Sequence, residues 1–141
     1  MQQAEIPYPS KLDDPRALQY IFHPRKDDVA SPPPGAVDYP IAVEEGITIG
    51  CRFYTAGAQA PSILFFHGNG ETVRDYDEIG PVYNQYGLNL LAVEYRGYGT
   101  SNGTPTVTAM LKDALVICQE VQKWLKNKER QRKPWVKTQE G

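Results

Sequence analysis

Cysteine is scarce in this chain: 141 residues hold two, Cys51 and Cys118. They form no CxxC pair and build no disulfide framework. Histidine is as scarce, with His23 and His67 alone. A zinc site needs clustered His and Cys ligands, so no metal is expected. No apolar run approaches the ~18–20 residues that span a bilayer. The opening Met1-Gln2-Gln3-Ala4-Glu5-Ile6-Pro7 lacks the basic and apolar regions of a signal peptide. A basic excess is missing too, since the formal net charge is −2. That argues against a nucleic-acid partner, which calls for a basic footprint. The expectation is a cytoplasmic protein in a reducing compartment. With 40% hydrophobic residues the chain is neither disordered nor collagenous, and its length suits one domain of ~100–200 residues.

Proline is present in quantity and concentrated. Eight of the twelve lie in residues 1–40, including Pro32-Pro33-Pro34, and each removes a backbone donor and restricts φ. The triple proline reads as a spacer in preference to a partner motif. Only Asp14 to Phe22 looks helical here, with Pro15 in the first turn and Leu18, Ile21 and Phe22 spaced i, i+3, i+4. Residues 1–40 are expected to form a Pro-rich arm draped over a domain and ending in a stiff turn at Ser31 to Gly35.

From Ile41 the pattern turns to strands. Ile47, Ile49, Cys51 and Phe53 alternate with Thr48, Gly50, Arg52 and Tyr54, the period of a half-buried strand. Ile41-Ala42-Val43 precedes it across Glu44-Glu45-Gly46, which predicts an antiparallel hairpin. Ile63-Leu64-Phe65-Phe66 and Leu88 to Val93 are apolar runs suited to strands covered on both faces, the second interrupted only by Asn89. Between them Tyr76, Ile79, Val82, Tyr83 and Tyr86 share one face of a helical stretch that Gly80-Pro81 breaks and Gly87 caps. The clearest helix follows. Val107, Met110, Leu111, Ala114, Leu115, Cys118, Val121, Trp124 and Leu125 recur with a 3.6-residue period, and Thr106 is its N-cap. A hairpin followed by strand, helix, strand, helix predicts an α/β fold whose later strands are parallel. The basic run Asn127 to Lys133 reads as a solvated helix end within a basic, irregular tail of residues 127–141, with Pro134-Trp135-Val136 beginning another strand.

Two stretches carry chemistry. Phe65-Phe66-His67-Gly68-Asn69-Gly70-Glu71 is a strand opening into a Gly-rich loop. Glu94-Tyr95-Arg96-Gly97-Tyr98-Gly99-Thr100-Ser101-Asn102-Gly103 is a second strand end opening into another. Glycines there let backbone N–H groups approach a ligand, and open α/β sheets bind ligands at that edge. Gly97 and Gly99 do not begin a dinucleotide fingerprint, because the third glycine of GxGxxG would fall at Asn102, and no GK[ST] phosphate loop occurs. No cofactor is expected. His67 is read as a loop-shaping residue that bonds the backbone. Arg96 is read as an ion-pair partner of Glu71, Asp75 or Glu94 that ties the loops together, and Asp113 and Glu120 as solvated.

These two loops, in this element order, resemble the α/β-hydrolase superfamily of serine hydrolases over about Ile41 to Lys126. The nearest look-alikes are its BEM46-like bacterial members and the related eukaryotic protein depalmitoylases. Leu12-Asp13-Asp14-Pro15 and Phe22-His23-Pro24-Arg25 also look like the leader of some bacterial members. The resemblance implies that the backbone N–H of Asn69 is an oxyanion donor in the loop of His67, Gly68 and Gly70. Such a donor supplies ~3–4 kcal/mol of transition-state stabilisation. Arg96, Gly97 and Gly99 would belong to the second loop at the active-site edge, where the family usually places Asp at the position of Glu94.

The implied activity is hydrolysis of ester or thioester bonds by a serine nucleophile. Gly99-Thr100-Ser101-Asn102-Gly103 satisfies G-x-S-x-G, yet a nucleophile elbow is a strained turn made directly between strand and helix. Here the strand ends near Tyr95, and Thr104-Pro105 still precede the helix. No histidine follows His67 to complete a Ser, acid, His order, so Ser101 is read as a decoy and no catalytic residue is assigned. With the family's strand order, 1-2-4-3-5, the resemblance implies a partial sheet truncated before the fifth strand. It would lack nucleophile, acid, histidine and lid, and be inactive by itself. A small ester or thioester substrate is expected only of a full-length protein. The missing strand would leave Ile63, Leu64, Phe65 and Phe66 as an open edge prone to self-association. No cysteine precedes Cys51, so no palmitoylated N-terminal membrane anchor is expected. The alternative is a non-catalytic α/β interaction module or pseudoenzyme.

Overall fold

The computed structural model describes residues 9–28 and 31–132. The arm begins with two short helices, α1 (Pro9–Leu12) and α2 (Pro15–Ile21). Asp14 caps α2, its carboxylate accepting the Arg16 N–H at 2.8 Å, and Pro15 takes the first turn, where no donor is needed.

Six strands follow: β1 (Ala36–Asp38), β2 (Ile41–Glu44), β3 (Ile47–Ile49), β4 (Cys51–Tyr54), β5 (Ser62–Phe66) and β6 (Asn89–Val93). Four form one sheet in the order β1-β4-β6-β5, and β2 and β3 form a separate hairpin. β5 and β6 run parallel, while β4 runs antiparallel to both β6 and β1. The sheet is thus mixed and flanked by helices, the α/β class expected.

Two strand expectations are corrected. The alternating run from Ile47 does not stay in one sheet: it breaks at Gly50. The Gly50 N–H donates to Ser101 Oγ at 2.9 Å, its carbonyl accepts from Glu94 N at 3.0 Å, and a Cβ there would collide with Thr100. Ile47–Ile49 therefore stays in the hairpin, while Cys51–Tyr54 enters the main sheet and is buried at every position. The place beside β4 is taken by β1, inside the Pro-rich arm, and not by Ile41–Val43. A turn at Gly35, with φ +83°, delivers Ala36 opposite Tyr54. Three residues with an exposed Val37 leave no apolar signature.

β6 is buried on both faces, and its side chains divide the core. Leu91 and Val93 join Ile49, Cys51, Phe53, Ile117 and Val121 under the long helix α4 (Val107–Arg132). Leu90 and Ala92 join Tyr54 and Val73 on the other side. Asn89, the polar residue in the run, is buried; its amide oxygen accepts from Ala56 N at 2.6 Å and its NH2 donates to Gly57 and Ala60 carbonyls, pinning the turn before β5. Between β5 and β6 lie a 3-10 turn (Val73–Tyr76) and α3 (Gly80–Gln85), separated as the Gly80-Pro81 pair predicts. Only Tyr76 of the expected apolar face turns inward, where it meets Phe65; Ile79, Val82, Tyr83 and Tyr86 are exposed.

Thr106 caps α4 by accepting from Ala109 N at 3.0 Å. The helix runs through Arg132, so the basic run is a helix end over residues 127–132, as its composition suggested, and the irregular tail does not begin at residue 127; Pro134-Trp135-Val136 lies outside the described residues. Among the described residues no helix is long and apolar enough to cross a membrane.

Candidate functional site

Parallel β5 and β6 open their following loops on one edge of the sheet. Phe66 and Val93 are the last residues in register, so the next pair, His67 and Glu94, meets side by side. His67 Nε2 lies 2.6 Å from Glu94 Oε1, within hydrogen-bond distance, and both side chains are fully buried. His67 Nδ1 donates to its neighbour's carbonyl, Gly68 O, at 2.8 Å. Tyr95 packs edge-on against the ring and its hydroxyl donates to His67 O at 2.7 Å. Burial alone would push the imidazole below its ordinary value; the hydrogen bonds to Glu94 and Gly68 outweigh that and raise it.

The His67–Glu71 loop is closed by its own residues. Glu71 accepts the Gly68 N–H at 2.6 Å and the Tyr76 hydroxyl at 3.0 Å, and Glu71 N donates to Gly68 O at 3.2 Å. Asn69 sits at the loop's exposed tip. Its backbone N–H has no acceptor among the described residues. Its side chain, in contrast, is engaged through both polar atoms: Nδ2 donates to Ile21 O at 2.7 Å, and Oδ1 accepts from His23 N at 3.0 Å and Tyr98 OH at 2.7 Å.

Those partners belong to the arm, which sequence reasoning treated as a drape and which proves to be a strap across both loops. Lys26 forms a parallel bridge with Gly99, Gly99 N donates to Arg25 O at 2.7 Å, and Lys26 Nζ donates to Ser101 O at 2.8 Å. Arg25 reaches Asp75 at 2.6 Å and Gly70 O at 3.1 Å, holding the Asp75 carboxyl below its usual range. Phe22 buries itself against Tyr98 and Val107. The Phe22-His23-Pro24-Arg25 stretch was the available signal for this contact.

Arg96 does not tie the loops together. It pairs with Asp113 through two hydrogen bonds of 2.7 and 2.8 Å and with Glu44 at 2.6 Å, so it anchors the second loop to α4 and the hairpin. Its three expected partners are otherwise committed: Glu71 to its own loop, Asp75 to Arg25, Glu94 to His67. Asp113 is consequently buried rather than solvated; Glu120 keeps to the surface with Lys123. Gly97 and Gly99 both hold positive φ, +78° and +56°, which favours glycine. Ser101 is buried, and its Oγ accepts from Gly50 N; no histidine is among its hydrogen-bond partners. Among the described residues no three His, Cys, Asp or Glu side chains converge to hold a metal ion.

Beside these loops a cavity of about 180 Å³ opens, lined by Asp27, Gly50, Arg52, Glu94 and Thr100 among others. A second, of about 190 Å³, lies along β5 and is lined by Ile63, Leu64, Cys118, Trp124 and Leu125.

No family model matches the chain. It is 28% identical over 94 residues to an uncharacterised protein of Mycobacterium tuberculosis, a match covering 65% of this chain and 32% of that protein. It is 35% identical over 71 residues to the lysophosphatidylserine lipase ABHD12 of Danio rerio, covering 48% and 17% respectively. Among solved structures, an α/β hydrolase from Vibrio vulnificus superposes with a TM-score of 0.50 at 26% identity, covering 59% of this chain and 28% of the other. The chain spans about a third or less of these proteins' lengths.

Proposed function

The chain is related to the α/β-hydrolase superfamily over part of its length, and from that premise we propose that it carries the oxyanion-loop half of a serine hydrolase acting on ester or thioester bonds. The observation that carries this reading is the Asn69 peptide. Its N–H lacks an acceptor at the loop tip while the side chain and the preceding carbonyl are both held. A donor fixed in advance costs no reorganisation when negative charge develops on a substrate oxygen, which is how such a group stabilises a transition state. The lipase among the relatives favours an ester as the bond attacked. Ser101 is buried, and its oxygen accepts from Gly50 N, so the nucleophile would have to come from elsewhere and the 141-residue chain by itself would not turn over substrate.

The strap favours the second reading, a non-catalytic interaction module, because it binds Asn69 and Gly99 as a ligand-like segment would. Coding DNA downstream of codon 141, read in three frames, separates the two. A strand, G-x-S-x-G, helix pattern followed by an acidic residue and a histidine is the expected result. A downstream region without it leaves the module. In either case the outer edge of β5 offers a contact for a second copy, with cytoplasm as its setting.

A further inference from the structure

We propose that His67 and Glu94 are positioning residues: the His67 ring, carrying a proton on both nitrogens, holds the Gly68 carbonyl inward and so turns the N–H of the same peptide, on Asn69, toward the loop's open side. The inference deepens the reading of Asn69 as a donor and rests on it for its catalytic meaning, though its geometry stands alone.

The Gly68 C=O and the Asn69 N–H belong to one planar trans unit and point in opposite directions. Whatever grips the carbonyl therefore aims the N–H. Two donors grip it, His67 Nδ1 at 2.8 Å and Glu71 N at 3.2 Å. The far end of the unit is held as well, since the Asn69 side chain is bound by Ile21 O, His23 N and the Tyr98 hydroxyl.

Gly68 O on one side of the ring can only accept, and Glu94 Oε1 on the other accepts when its carboxyl is ionised. A neutral imidazole carries one N–H and would satisfy one of them; the imidazolium satisfies both. Its counter-charge is Glu94, which is itself fixed by accepting from Val73 N at 3.0 Å. The second Glu94 oxygen is buried with no hydrogen-bond partner among the described residues. A buried carboxylate so sparsely served depends on an adjacent cation, and His67 is in that position. Glu71 and Asp75 add negative potential from the loop and the 3-10 turn. Arg25 faces Asp75 from the strap, and the Tyr95 and Tyr98 rings flank the imidazole.

Nitrogen-15 NMR of the 141-residue chain tests this without any substrate. His67 is expected to lose its second ring proton only above the ordinary histidine value of ~6.5. The Asn69 N–H is expected to show the order parameter of rigid backbone, about 0.85. Glu94→Gln removes the counter-charge at constant size: His67 should then titrate below the ordinary value, while the Nδ1 hydrogen it keeps still holds Gly68 O. His67→Phe, which removes that donor, should lower the Asn69 order parameter below about 0.6 while β6 amides keep theirs. Glu94→Asp, which retains the charge, should restore the doubly protonated ring. A His67 that titrates at or below the ordinary value in the native chain, or an Asn69 order parameter indifferent to His67→Phe, overturns the proposal. Failure to find a catalytic half downstream would remove the hydrolase reading and leave these NMR outcomes standing; the reverse result would remove the positioning role alone.

Discussion

Gly99 has no side chain, and the Glu94 carboxylate occupies the space one would take. Its φ of +56° lies in the left-handed region, so two requirements coincide on one residue. Gly99→Ala should therefore destabilise the chain by about 3 kcal/mol, through strain and displacement of a buried carboxylate. A urea midpoint equal to that of the unsubstituted chain would contradict the packing described. The same residue shows what was readable in advance. A flexible glycine at a strand end was legible as a site of close approach; that the group approaching it is a carboxylate from the same loop was not. Arg96 makes the point with charges. An arginine between acidic candidates announces an ion pair, but the partner it chose, Asp113, lies on a helix that only folding brings alongside.

At the level of elements, β5 has one neighbour, β6, among the described residues, and its other edge is unpaired in their sheet order. All five of its residues are half-buried, none is charged, and an apolar cavity runs beside it. Natural edges are blunted by charge, proline or cover, and this strand has none of these within it. Weight-average mass in sedimentation should therefore rise with protein concentration, and Ser62→Lys, which places a charge at the strand's start, should reduce that rise. A mass independent of concentration would remove the edge as a contact. For α3 and α4 the periodicity identified residues sharing a face without saying how much of that face the core covers. Ile79, Val82, Tyr83 and Tyr86, and likewise Leu111 and Leu115, carry the pattern and are exposed. Period is a local property, whereas burial depends on what packs opposite.

Across the whole molecule, two buried or bridged pairs give stability opposite pH dependences. His67 is raised in the fold, so its contribution is complete below the ordinary histidine value of ~6.5 and is lost as pH rises through the folded value. Asp75 is lowered from 3.8 by Arg25, so its contribution is present above that value and is lost as pH falls through the folded one. Urea midpoints should accordingly be highest in mildly acid solution, declining on both sides. A midpoint that climbs steadily from pH 6 to pH 9 would show that the His67–Glu94 pair is not held as described.

The amino-acid sequence by itself determined the α/β class, the hairpin that begins at Ile41, the short helix with Pro15 in its first turn, the long helix with its cap at Thr106, and the two Gly-rich loops at one sheet edge. These follow from local properties: side-chain period, proline and glycine torsions, and short polar caps. Only the tertiary structure decided that the strand run splits at Gly50, that β1 comes from the arm, that the arm straps Asn69 and Gly99, and that Glu94 pairs with His67. Each of those depends on which distant groups become neighbours once the sheet is assembled, and a chain read residue by residue carries no distance between them.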